Sequence, residues 1–238
     1  MSIEADILIM GADGVPGGDG CPGENGTPDG ADGVDGKREG SWWDKKCVTA
    51  EPGESGVNAP KPGGNGEDGT SGANAALYFN LMVTGSVTAS SPITVYSKGG
   101  DGGDGGQGGD GGNGSNGGNG GHQDSKCTSL PAPCGGDGGN ASDGGNGGSA
   151  GSGGNGAAIL IEFPRDTPGD PFTAQSLGGT AGEAGRGGAA GRPGMGGTGG
   201  TSGSATGPNG TNGANARPGG AGAAGSGGAG GAVTIKRY

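Results

Sequence analysis

Aromatic side chains are nearly absent from this chain, at 3% of its residues, and hydrophobic residues of all kinds reach only 27%. That scarcity excludes a conventional close-packed core as the main source of stability. Basic residues are scarce too, with 13 Lys and Arg against 24 Asp and Glu for a formal net charge of −11. Nothing forms the basic stripe that a phosphate backbone needs, so no nucleic-acid partner is expected. No apolar run approaches membrane-spanning length, and the first residues lack the apolar stretch of a classical signal peptide. Histidine occurs once and no cysteine pair has CxxC spacing, so the sequence shows no zinc motif, and no other pattern asks for a metal or cofactor.

What the chain has is glycine, 71 residues of 238. From Gly179 to Gly203 and from Gly207 to Gly231 it falls on every third residue, with Ala216 the one substitution. An α-helix repeats near 3.6 and a strand at 2, whereas the extended left-handed helix repeats at 3 and carries one residue type along each edge. A bare glycine edge lets a neighbouring backbone approach to hydrogen-bonding distance. Ordering glycine is entropically expensive, so such a fold needs dense N–H···O=C bonding between arms. The expected fold class is a glycine-rich polyglycine-II helix bundle or sandwich with essentially no α-helix.

Three strand–arm–tip–arm–strand repeats organise a single domain: repeat 1 at 1–84, repeat 2 at 85–170 and repeat 3 at 171–238. Strand-like segments at 3–10, 76–83, 92–97, 157–163, 171–177 and 232–237 fall at one end and predict a small β base. Tips at 37–52, 122–134 and 204–206 fall at the other. Both arms of repeat 2 read GGX (GGDGGDGGQGGDGG after Lys98), which suits neighbours on two sides; repeats 1 and 3 read mostly GXX, which suits outer positions. The expectation is a three-layer sandwich with repeat 2 in the middle. Breaks in the glycine phase after Gly26 and between Gly56 and Gly63 predict bends in repeat 1. Charge is uneven: 14 acidic against 5 basic residues in repeat 1, 9 against 3 in repeat 2, and 1 against 5 in repeat 3.

Collagen would need abundant proline and three parallel chains, and a calcium β-roll would need a bulky apolar residue where Gly106 stands. Neither fits. Asp101, Asp104 and Asp110 share one edge of one arm, about 9 Å per turn apart, too far to share one calcium, and read as a solvated acidic stripe. The N-x-S/T sequons at Asn25, Asn113, Asn140 and Asn209 read as products of composition.

Candidate chemistry gathers at the tips, where variable loops sit on a repetitive scaffold. Trp42 and Trp43, with Lys45 and Lys46 beside them and His122 in tip 2, are the candidate binding residues for a surface glycan or protein. The competing reading has one tryptophan plugging tip 1 as a local core. His122, Asp124 and Ser125 lie too close in one loop to build a triad with an oriented base and oxyanion hole, and no enzyme activity is expected. The four cysteines, Cys21, Cys47, Cys127 and Cys134, are an even set that favours disulfides and an oxidising setting. Cys127 and Cys134 flank a short loop and are expected to pair, leaving Cys21 for Cys47.

The mixture of GGX and GXX triplets with disulfides and loops resembles two polyglycine-II families. One is the distal adhesins of phage tail fibres, whose variable loops bind host surfaces. The other is the springtail antifreeze proteins, disulfide-bonded bundles with a flat ice-binding face. The glycine-rich domains of Obg-type GTPases are a looser parallel for the base. The adhesin resemblance implies an extracellular or virion-associated recognition protein whose β base docks to a larger assembly. The antifreeze resemblance implies that ice meets a small-residue face of repeat 3, where Glu183, Arg186, Arg192 and Arg217 interrupt the small residues. A third reading is a structural fibre or coat component.

Overall fold

The computed structural model describes residues 5–238, so the opening of the first expected strand lies outside the described residues. Its strands, in chain order, are β1 (Ile7–Met10), β2 (Lys37–Ser41), β3 (Asp44–Val48), β4 (Tyr78–Met82), β5 (Ile93–Lys98), β6 (Ala158–Phe163), β7 (Phe172–Leu177), β8 (Thr201–Ser202), β9 (Ala205–Thr206) and β10 (Val233–Arg237). Between them run six long segments that are neither helix nor strand. We call them the outgoing arms (residues 11–36, 99–122 and 178–200) and the returning arms (50–75, 134–156 and 207–231) of repeats 1, 2 and 3.

Two parallel sheets form the base, in the orders β1-β5-β7 and β10-β6-β4. Parallel neighbours require a long crossover, and here each crossover is a full arm out and back. β6 alternates strictly, turning Ile159, Ile161 and Phe163 inward against Val95 and Phe172 of the other sheet, and these five residues form the buried cluster of the base. Strand pairing passes without a break into arm pairing: Met10 pairs with Lys98, and the next amide, Gly11 N–H, donates to Lys98 O at 2.9 Å.

Period-three bonding then carries along the arms. In the outgoing layer Gly14, Gly17 and Gly20 of arm 1 donate to Asp101, Asp104 and Gln107 of arm 2 at 2.7–2.8 Å, and Gly102, Gly105 and Gly108 donate onward to arm 3. The returning arms form a second such layer, from Gly66→Asn146 to Gly147→Gly220. Bonds such as Gly106→Glu67, Gly148→Gly106 and Gly185→Gly148 (2.8, 2.8 and 2.9 Å) stitch the layers together. Repeat 2 therefore lies between repeats 1 and 3 in both layers. A Cβ on Gly148 would fall 1.9 Å from Glu67 O, which shows why the edges that face another arm are bare.

The two phase breaks in repeat 1 are single-residue bulges. Asn25 lies 88 residues from its partner Asn113, but Asp29 lies 87 from Asn116; across the returning layer the offset falls from 82 at Asn58 to 81 at Asn65. The expected bends thus reduce to one extra residue in each arm, and Glu24 and Lys61 meet between the bulges in an isolated bridge and an ion pair.

Side chains complete the lattice. On the outgoing face Asp13 Oδ1 accepts Asp101 N–H, and Asp101 Oδ1 accepts Thr180 N–H, at 2.8 and 2.7 Å. Asp104, Asp110 and Asn113 accept from Glu183, Ala189 and Arg192 in the same way. The returning face repeats the device, for example Asn58 to Asn140 to Ala214. The Asp101–Asp104–Asp110 row keeps the exposure expected of a solvated stripe, with Asp104 and Asp110 exposed and Asp101 half-buried, and serves in addition as a ladder of hydrogen-bond acceptors. All four sequon asparagines spend their Oδ1 likewise on a backbone N–H.

Proline obeys the same accounting. In the turn Gly105–Gln107 every residue donates its N–H, to Glu183 O, Glu67 O and Asp19 Oδ1. Neither arm of repeat 2 contains proline. Pro16, Pro22, Pro52 and Pro62 stand on arm 1 faces that no earlier arm serves, and Pro193 and Pro218 stand on the outer edge of repeat 3. There a missing N–H costs nothing, while the fixed φ suits an extended arm.

Candidate functional site

Tip 1 folds as an antiparallel hairpin, β2 on β3, in which Ser41 faces Asp44 and Trp42–Trp43 form the two-residue turn. Gly40, with φ of 114°, supplies the left-handed residue beside that turn. The indoles meet edge to face with ring centroids 5.6 Å apart, yet Trp42 and Trp43 are 82% and 76% exposed. Neither plugs a local core.

Alternation along β3 puts Lys45 on the face of Cys47 and Lys46 on the opposite face, across from Glu39. The two lysines therefore do not converge on one side of the tryptophans. His122 is at the foot of the tip: its N–H donates to Asp35 Oδ1 at 2.7 Å and its Nδ1 lies 3.0 Å from Thr201 Oγ1. Its recorded partners are thus arm ends rather than the hairpin turn. A shallow depression of about 370 Å³ on the outgoing face, lined by Asp32, Asp35, Asn119 and His122, adjoins it.

The tips are joined by a disulfide and by a buried glutamine. Cys47 of the hairpin bonds to Cys127 of tip 2, and Cys21 and Cys134 are free and exposed. This corrects both expected pairings. Cys134 is already the first residue of a returning arm, with its carbonyl committed to Gly53 at 3.0 Å. Cys21 is held to Gly64 at 2.7 Å in mid-arm, roughly 45 Å from the tip at about 3.1 Å per residue. Gln123, 7% exposed, is the residue that the sequence did not advertise. It accepts from Ala50 N–H (3.0 Å), donates Nε2–H to Pro131 O (2.9 Å), and gives its own N–H to Thr201 O (2.8 Å). One residue, through its side chain and its own amide, thus ties together elements of all three repeats.

The outer edge of repeat 3 is a second candidate surface. Returning arm 3 is bound to outgoing arm 3 by bonds from Gly207→Gly200 to Gly228→Gly179. The exposed row is Asn215, Pro218, Ala221 and Ala224 of the returning arm, beside the half-buried row Ala181, Ala184, Gly187 and Ala190 of the outgoing arm, with Asn209 and Asn212 accepting the Gly199 and Gly196 amides across the seam. Glu183, Arg186 and Arg192 occupy the row that serves the outgoing face, and Arg217 occupies the returning face. All four charges that interrupt repeat 3 in sequence are carried off this edge in space. The opposite edge, on repeat 1, carries Val15, Glu24, Glu54, Lys61 and Glu67 and has no such evenness.

No protein-family model matches the chain, and no curated protein matches it. Neither comparison supports the phage-adhesin resemblance. Among solved structures the chain is similar to the nine polyproline type II helical bundle springtail antifreeze protein from Granisotoma rainieri. Identity is 23% over 92% of this chain and 97% of that one, with a TM-score of 0.11. A superposition this poor carries no argument. The Cys47–Cys127 disulfide itself points to an oxidising, extracellular-type environment, and no described helix is long and apolar enough to cross a membrane.

Proposed function

We propose that the six arms are polyglycine-II helices forming a rigid shaft, and that the protein is a non-enzymatic recognition protein, extracellular or virion-associated. Its tip 1 hairpin binds a surface glycan or protein, and its β base docks to a larger assembly. One observation carries the reading: adjacent tryptophans 82% and 76% exposed, at a turn whose strand is bonded to a neighbouring tip. Exposed aromatic pairs on rigid supports are binding surfaces, because they bury large area at little entropic cost. Glycan-array and cell-surface binding by the oxidised protein tests it. Trp42→Ala and Trp43→Ala should each weaken binding by about tenfold or more. Undiminished binding by the double variant refutes the assignment.

A second reading, ice binding, is favoured by the charge-free outer edge of repeat 3. A crystalline surface selects rigidity, regular spacing and the absence of strongly hydrated charges. Two bonded arms with a repeat of about 9 Å supply all three. Thermal hysteresis and ice shaping should then be lost in Ala221→Lys with Ala224→Lys and kept in Trp42→Ala. No hysteresis in the parent protein at high concentration removes this reading.

A further inference from the structure

The base sandwich is open on the repeat-3 side, where β7 and β10 are the outermost strands of the two sheets. Register aligns Val233, Ile235 and Arg237 of β10 with the buried Ile159, Ile161 and Phe163 of β6, so all three face inward. They are not covered: Val233 and Ile235 remain 40% and 39% exposed. Beside them is a cavity of about 530 Å³ lined by Phe163, Asp170, Phe172, Ile235, Lys236 and Arg237, within the size range of small-molecule sites. Its floor is apolar, made by the Phe163 and Phe172 rings 5.6 Å apart and by Ile235.

Arg237 gives that floor a charged end. Its guanidinium carbon is 5.2 Å from the Phe163 ring centroid, and one nitrogen bonds Gly169 O and lies 3.0 Å from Asp170 Oδ1. An arginine at an inward-facing strand position is costly in so small a core unless its head is satisfied. The group that satisfies it is a carboxylate whose side chain is 92% exposed on a surface turn. Asp170 is thus held by little besides a single contact with Arg237, and another carboxylate can take its place on the guanidinium, whose planar fork offers it a second N–H. Lys236, which pairs outward with Glu162 at 2.9 Å, does not compete for it.

We propose that this cavity is a binding site for a small amphipathic carboxylate, with the apolar body on Phe163, Phe172 and Ile235 and the carboxylate on Arg237 in exchange for Asp170. The site is at the opposite end of the molecule from the tips and does not depend on the function assigned to them. The alternative role for Arg237 is that of a lid closing the open end of the core.

Amide shifts of the full-length, oxidised, isotope-labelled protein, titrated with octanoate and with octanamide, separate the two. Octanoate is expected to give saturable shifts at Phe163, Phe172, Ile235 and Arg237, with octanamide weaker by about tenfold. Asp170→Asn, which removes the internal competitor, tightens octanoate severalfold, and Arg237→Met weakens it by about tenfold while keeping the apolar cover. Should Arg237→Met fail to fold, Arg237→Lys, which keeps the charge and loses the fork, must bind octanoate less well than the parent. Absence of saturable shifts up to about 10 mM octanoate overturns the proposal, as does equal binding of the two probes or weaker binding by Asp170→Asn.

Discussion

Adding one methyl group to Gly103 tests the arm lattice at a bare edge that faces a neighbouring arm. A Cβ there would meet Val15 O at 2.2 Å and Val15 C at 2.4 Å, both backbone atoms that no rotamer change can move. Restoring ordinary contact requires the outgoing arms of repeats 1 and 2 to separate locally by about 1 Å. The bonds at stake are Gly14→Asp101 (2.7 Å), Gly17→Asp104 (2.8 Å) and Asp101→Asp13 Oδ1 (2.8 Å). At about 1 kcal/mol each their loss costs roughly 3 kcal/mol, offset by about 0.4–1 kcal/mol from the stiffer unfolded chain. Gly103→Ala should thus lower Tm by about 4–10 °C in a domain of this size. The matched control is Gly227→Ala on the outer edge, where the nearest atom to the new Cβ is Gly179 O at 3.7 Å. With no clash only the unfolded-state term remains, and Tm should rise by about 1–4 °C. Calorimetry on both variants decides the matter: equal shifts, or an unchanged Gly103→Ala, refute packing of bare edges as the source of stability.

Replacing Asp104 by Ala removes the acceptor for Glu183 N–H and should cost about 1 kcal/mol, whereas Asp104→Asn keeps an acceptor and should melt like the parent. Gln123→Ala leaves the Ala50 amide and the Pro131 carbonyl unpaired and should cost about 1–3 kcal/mol, read as early loss of tip protection in hydrogen exchange. Without reductant, iodoacetamide should add to Cys21 and Cys134 and spare Cys47 and Cys127; mass spectrometry showing a modified Cys127 would contradict the pairing. The Asp101 carboxyl is held below its ordinary value by hydrogen bonds from Lys98 and Thr180 N–H, and that of Asp137 by bonds from Thr211. A depressed folded pKa contributes stability that is fully present above the unfolded value near 3.8 and is lost as pH falls through the folded one. Acid unfolding should therefore steepen below that value, and Asp137→Asn should flatten the profile.

How much of this was legible follows from which signals are local. Glycine phase is local, so the arms and their bare edges could be read directly, whereas the inward face of β6 was not marked by sequence, since Leu160 between Ile159 and Ile161 breaks any apolar–polar alternation. Disulfide partners depend on where the arms end, and loop length alone misplaced them: Cys134 looked like a loop residue and is an arm residue. The placement of Glu183, Arg186, Arg192 and Arg217 failed for a related reason. Composition treats the three rows of an arm as one surface, whereas register assigns each row to a different face. Exposure of the tryptophans was undecidable from WW alone, since a two-residue turn and a local plug use the same letters. Gln123 carried no signal, because its partners Ala50, Pro131 and Thr201 come from three repeats.

The charge gradient along the chain has its physical cause in the same register. An Asp or Asn on an arm face is useful only if a following arm offers an N–H to accept. Repeats 1 and 2 each have a following arm in both layers, and their face rows hold Asp13, Asp19, Asn25, Asp32, Asp101, Asp110, Asn140 and Asp143. Repeat 3 has none, and the equivalent positions hold Thr180, Glu183, Arg186, Ala189 and Arg192, whose amides receive the ladder without extending it. Half of the 14 acidic residues of repeat 1, from Asp6 and Asp13 to Asp35 and Asp68, accept an amide of repeat 2, so that part of the acidity records the stacking direction. A fourth hairpin would find no Asp or Asn row on the outgoing face of repeat 3 to continue the ladder. The lattice ends where its side-chain ladder ends, and the outer edge is left to face solvent or a surface instead of another arm.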